Sequence, residues 1–175
     1  MLYSCAMSRL ARIRHRVRQF TAALRRHEPV LEAALRAHLN PEGARLFRRM
    51  QPSEQAHAWG VCGRLEAAGM RDLDLLAAAL LHDAGKSLRP LSLAERVVIV
   101  LGRRFVPRRA ADWSRGEPHG WRGAFVAARQ HPEWGAELAQ AAGASARTVD
   151  LIRRHQEPAP GDELLKALQA ADNEL

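Results

Sequence analysis

Apolar residues along the chain recur at steps of three and four, the spacing of one helix face, and nowhere alternate as half-buried strands require. The first such stretch holds Leu10, Ile13, Val17, Phe20 and Leu24, with Arg9, Arg12, Arg14, Arg16, Arg18, Arg25 and Arg26 on the remaining faces. Pro29 interrupts the pattern, and Val30, Leu31, Leu35 and Leu39 resume it. Asn40-Pro41 offers a cap and a first-turn proline for a helix to about Met50. Ser53 is a candidate cap for a helix that carries Glu54, His57, Val61 and Leu65 and ends near Gly69. From Asp72 the pattern changes. Leu73, Leu75, Leu76 and the run from Ala77 to Leu81 are apolar almost all round, which predicts an interior helix stopped by Gly85. Leu91 to Phe105 predicts a further helix. Residues 107–120 are rich in Pro, Gly and charge and predict a surface loop with room for a short helix. Trp121 to Gln130, Pro132 to Ala142, Ser145 to Gln156 and Gly161 to Leu175 predict the last helices, punctuated by Gly143 and by Pro158 to Gly161. The expected fold class is all-α, a compact helical bundle.

Composition agrees with this pattern. The chain has 175 residues, which suggests one domain with a short appendage, and 47% of them are hydrophobic, enough for a real core. Aromatics make up 5%, a scarcity that favours helices over strands. The formal net charge of +8 suits a phosphorylated partner, and nucleic acid is the weaker expectation, resting on charge alone. The two amphipathic stretches on either side of Pro29 most simply form a solvated helical hairpin packed on the core, with contact to nucleic acid or an anionic membrane as the other readings. Cys5 and Cys62 form neither a CxxC pair nor a disulfide framework, so a reducing cytoplasm is expected. No apolar run precedes Cys5, which argues against a lipoprotein signal there. The longest apolar runs, Ala77 to Leu81 and Val97 to Leu101, are too short to span a bilayer.

The segment Leu80-Leu81-His82-Asp83-Ala84-Gly85-Lys86 carries the most chemical information. An interior helix delivers an adjacent His and Asp at its C-terminal end. Burying an unpaired carboxylate is costly, and a divalent metal removes that cost by using both side chains as ligands. Further ligand types stand at helical positions: His57, His131 in His131-Pro132-Glu133-Trp134-Gly135, His155, and Asp172. Imidazole with carboxylate suits Mn, Fe, Ni, Co or Zn better than Ca.

The order His…His-Asp…Asp resembles the HD superfamily of metal-dependent phosphohydrolases, over about Gln51 to Leu175. His82-Asp83-Ala84-Gly85-Lys86 is similar to that superfamily's HDxGK variant. His131-Pro132 with Gly135 and Leu138, followed by His155, resembles the extra histidines of its dinuclear members. The resemblance implies that His57, His82, Asp83 and Asp172 hold a first divalent ion. His131 and His155 would complete a second site with Asp83 bridging. The ion or ions would be Mn, Fe, Ni, Co, Zn or Mg. Asp83 and Lys86 would then be catalytic, Lys86 touching a phosphate oxygen while a metal-activated hydroxide attacks phosphorus. The implied activity is hydrolysis of a phosphomonoester or phosphodiester of a nucleotide or related metabolite. The alternative is a non-catalytic regulatory module of the same fold. No Gly-Tyr-Pro follows His155, which argues against the cyclic-di-GMP hydrolysis of the HD-GYP branch. Residues 1–50 read as a basic amphipathic helical segment and 51–175 as the phosphohydrolase domain. Arg108, Arg109 and His119 are weaker candidates for substrate contact. Arg103 and Arg104 read first as a solvated basic corner, and His15, His27 and His38 as surface residues. Trp59 and Trp134, each close after a candidate ligand, read as packing.

Overall fold

The structure is a computed structural model and describes residues 28–173. The predicted helix over Leu10 to Leu24, with its arginines, and His15, His27 and Cys5 lie outside the described residues. Within them the fold is all-α, with helices α1 (Glu28–His38), α2 (Pro41–Arg49), α3 (Pro52–Ala67), α4 (Leu73–Leu81), α5 (Leu93–Phe105), α6 (Pro107–Trp113), α7 (Gly123–Ala141), α8 (Ala146–Arg154) and α9 (Glu163–Asn173). Short 3-10 turns cover Ala84–Ser87 and Gly120–Arg122.

Local chemistry sets most of the boundaries. The Asn40 side chain accepts the Gly43 N–H at 2.7 Å, and Pro41 occupies the first turn of α2. Asp72 caps α4 by accepting from Leu75 N at 2.9 Å, and Ser145 caps α8 through Thr148 N. Ser92 and Glu95 form a reciprocal capping box at the start of α5. Helix α3 ends in a Schellman arrangement, Gly69 N to Glu66 O and Met70 N to Leu65 O, with Gly69 at φ +82°.

Three local expectations change. Ser53 does not cap α3: Pro52 takes the first turn, where its missing N–H costs nothing, and this moves the cap to Gln51. The short helix allowed for in the loop over 107–120 is α6, with Pro107 at its start. The two helices predicted on either side of His131 are one continuous α7, with Pro132 inside it. Proline there leaves the Ala128 carbonyl without its helical donor, and Arg103 supplies one from α5 at 3.1 Å. Gly85 does not terminate α4, which has already ended at Leu81. Its role is close approach: a Cβ on Gly85 would lie 2.1 Å from the His131 carbonyl oxygen and 2.6 Å from Gly135 N. The turn after α4 therefore lies directly on the backbone of α7.

The main core gathers Leu35 from α1, Phe47 from α2, Val61 and Leu65 from α3, and Ile152, Leu165 and Leu168 from α8 and α9 around α4. Helix α4 has buried residues on every side, among them Leu75, Leu76, Leu80 and Leu81. Each buried leucine contributes about 1.5–3 kcal/mol of transfer free energy. A smaller core of Leu91, Ile99, Ala110 and Phe125 lies beneath α5 and α6. Trp59 packs against the larger core and Trp134 against the smaller.

Candidate metal centre

The end of α4 is the hub of the site. His82 and Asp83 are 1% and 2% exposed, so the buried helix drives an imidazole and a carboxylate into the interior. Burial by itself disfavours charge on either group, so their neighbours decide the outcome.

Three imidazoles are held in the same way. His82 Nδ1–H donates to Ala79 O at 2.9 Å, His131 Nδ1–H to Ala127 O at 3.3 Å, and His155 Nδ1–H to Ile152 O at 2.7 Å. Each bond fixes the ring and its tautomer, as a backbone carbonyl does for a histidine that binds a metal through Nε2. Helix geometry accounts for it, because each acceptor lies three or four residues back on the same helix.

The two aspartates face these rings. Asp172 Oδ1, from α9, lies 2.7 Å from His57 Nε2 and 3.6 Å from His82 Nε2. Asp83 turns Oδ2 toward His82 Nε2 at 3.6 Å and Oδ1 toward His131 Nε2 at 3.4 Å. The ring centroids of His57, His82, His155 and His131 follow one another at 5.3, 5.2 and 5.3 Å. Two adjoining triads result: His57, His82 and Asp172, and Asp83, His131 and His155, each with ligand atoms within 4.8 Å of one another. All six residues singled out in the sequence thus meet in one place, although 115 positions separate His57 from Asp172.

The electrostatics are those of a cation site. Burial works against a proton on His82, but Asp83 and Asp172 outweigh it and raise its pKa. Burial also opposes ionisation of Asp83, yet His82, Lys86 and His131 hold its pKa well below the usual carboxylate range. Asp172 is likewise lowered, because His57 and His82 overcome its desolvation. His155 is pushed down to about 3, first by burial and then by the neighbouring His82, and so stays neutral. The field that favours a proton at His82 Nε2 favours any cation there. That nitrogen is buried and has no hydrogen-bond partner among the described residues. Such an orphan is costly unless something fills the coordination, and an N and O donor set of this kind fits a first-row divalent ion.

Lys86 Nζ lies 2.6 Å from Asp83 Oδ2 and 3.8 Å from Glu54 Oε2. Glu54 has no role in the sequence reading, yet it is 3% exposed and paired with Arg96 of α5. Its signal was its place three residues before His57, on the same face of α3. Gln156 was also missed; its Nε2 donates to His131 Nε2 at 3.3 Å. Arg108 and Arg109 are exposed on α6 and His119 is exposed in the following loop, and no described contact links them to the six. Arg103 turns to the Ala128 carbonyl, whereas Arg104 is exposed over the Phe105 ring.

A protein-family model, the HD domain, matches residues 56–174. The chain belongs to the HD domain family. The match includes all six converging side chains and ends just past Asp172. No curated protein and no solved structure matches the chain. Among the described residues of this HD domain protein, no helix is long and apolar enough to cross a membrane.

Proposed function

We propose that this HD domain protein is a metal-dependent phosphohydrolase that cleaves a phosphomonoester or phosphodiester of a nucleotide or related metabolite. The reading rests on one observation: two His and Asp triads share a wall at His82-Asp83, with a buried imidazole nitrogen left unpartnered. His57, His82 and Asp172 would hold one divalent ion. Asp83, His131 and His155 would hold a second, and the two Asp83 oxygens face the two halves. A divalent ion bound there supplies Lewis acidity toward a phosphoryl oxygen and a lowered pKa for water.

The chain's own residues then have distinct tasks. Asp83, kept ionised, would offset the charge of a bound cation. Lys86 is only partly buried beside Asp83, so its ammonium can turn to a phosphate oxygen at the mouth of the site. Glu54, itself paired with Arg96, lies 3.8 Å from Lys86 and helps keep its charge near the site. Hydrolysis adds water across the P–O ester bond and releases an alcohol and a phosphate, which requires mainly positioning and charge stabilisation.

Elemental analysis of the native protein, with a phosphatase screen over nucleotides and bis(p-nitrophenyl) phosphate, tests the reading. At least one Mn, Fe, Ni, Co, Zn or Mg per chain is expected, with turnover that Asp83→Ala abolishes. Metal near zero and no activity on adding Mn or Ni would leave the alternative, a non-catalytic regulatory module of the same fold.

A further inference from the structure

Helix α5 is turned inside out relative to an ordinary surface helix. Ile99 and Gly102 face inward, and a Cβ on Gly102 would meet the Phe125 ring at 2.8 Å. Arg96 and Arg103 lie along its flanks and are tied to Glu54 and to the Ala128 carbonyl. The outward face consists of Leu93, Val97, Val98, Val100, Leu101 and Phe105, each 48% to 72% exposed. At 100° per residue these side chains cover nearly half of the helix circumference, and Arg104 is the one charged side chain among them. A contiguous apolar surface of this extent on a monomer marks an interaction site.

The surroundings of the face indicate the partner's charge. Exposed Arg104, Arg108 and Arg109 lie at its C-terminal end, and none forms an ion pair among the described residues. Exposed Trp121, stacked under Arg122, is connected to the same end: its ring packs on Trp113 at 5.1 Å, and Trp113 on Phe125 at 5.2 Å. A second copy brings no free carboxylate on this face to meet those arginines, since Glu95, the one acid of α5, is held by Arg89 and Ser92. The chain's own residues 9–26, apolar on one face, carry seven arginines and no acid, so they repel this rim. Nucleic acid would satisfy the arginines but give the leucines and valines nothing to bury against. An anionic lipid surface satisfies both: apolar side chains enter the acyl boundary, arginines meet lipid phosphates, and tryptophan sits at the interface.

We infer that the outer face of α5, with the arginines of α6 and Trp121, docks this protein peripherally on anionic membranes. The docking is independent of the metal centre, since none of the six converging residues lies on the face.

Co-sedimentation of the full chain with phosphatidylcholine vesicles, with and without phosphatidylglycerol, tests it. Binding to the anionic vesicles only, weakened by salt, is expected. The variant Leu93→Gln/Val100→Gln/Phe105→Gln keeps the basic N-terminal stretch and is expected to bind roughly tenfold or more weakly. Arg104→Glu/Arg108→Glu/Arg109→Glu alters exposed side chains only, is expected to lose a similar factor, and keeps the test open if the apolar variant does not fold. Brominated lipid should quench a tryptophan signal that Trp121→Phe removes. Unchanged binding in both variants, or no binding of the wild-type chain to anionic vesicles, overturns the inference. So does a dimer in sedimentation velocity that the apolar variant converts to monomer, which would assign the face to a second copy.

Discussion

The contact between Gly85 and α7 allows a sharp test of how the fold builds the candidate metal centre. In Gly85→Ala the new methyl would lie 2.1 Å from the His131 carbonyl oxygen, 2.6 Å from Gly135 N and 2.9 Å from the His131 carbonyl carbon. Ordinary carbon contacts begin near 3.5 Å, so the turn and α7 must separate by roughly 1 Å. All three obstructing atoms are backbone, so no side chain can swing away. Overpacking of this kind costs about 1–3 kcal/mol, reduced by up to ~1 kcal/mol from the stiffer unfolded chain. For a chain of this size each kcal/mol moves Tm by about 2–4 °C, so a net cost of about 1–2 kcal/mol gives a fall of roughly 2–8 °C. The separation also parts Asp83 on the turn from His131 on α7. Metal sites tolerate only a few tenths of an ångström, so stoichiometric metal retention should fall with it. Gly63→Ala is the internal control. Its Cβ meets nothing within 4 Å in the middle of α3, and a gain of about 0.5–1 kcal/mol is expected. Scanning calorimetry and metal analysis of both variants decide the matter. A Gly85→Ala protein with wild-type Tm and metal content would refute the close-packing argument.

Arg103→Ala should cost about 1 kcal/mol in urea denaturation, because the Ala128 carbonyl freed by Pro132 loses its donor; no change would mean that water satisfies it equally well. Glu54→Ala removes a buried carboxylate from Arg96 and Lys86 and should destabilise by about 3 kcal/mol, with Glu54→Gln recovering part of the loss; equal stability of the wild type and Glu54→Ala would remove it from the network. Asp162 has its carboxyl lowered from 3.8 to about 2, chiefly by the Arg147 hydrogen bond. A depressed folded pKa gives stability that is complete above about 4 and is lost as pH falls toward 2. In Asp162→Asn the urea midpoint should therefore vary less with pH over that interval than in the wild type.

Helix positions and candidate ligands were written in local sequence, because both depend on short-range rules. The 3.6-residue spacing marked the helices, the capping bonds of Asn40, Asp72 and Ser145 each reach three residues along the chain, and an apolar helix ending in His-Asp signals a buried site wherever it packs. What spacing could not reveal depends on distant backbone. Proline normally ends a helix, whereas α7 continues through Pro132, and Arg103 arrives from another helix to take the freed carbonyl. Gly85 reads as a helix stop until α7 is seen lying against it. The place of Glu54 three residues before His57 marks its helix face but not its burial, since Arg96 and Lys86 come from elsewhere in the chain. The apolar outer face of α5 has the same periodicity as a buried one, so the sequence marks its stripe, and only the packing of Ile99 and Gly102 determines which side faces out.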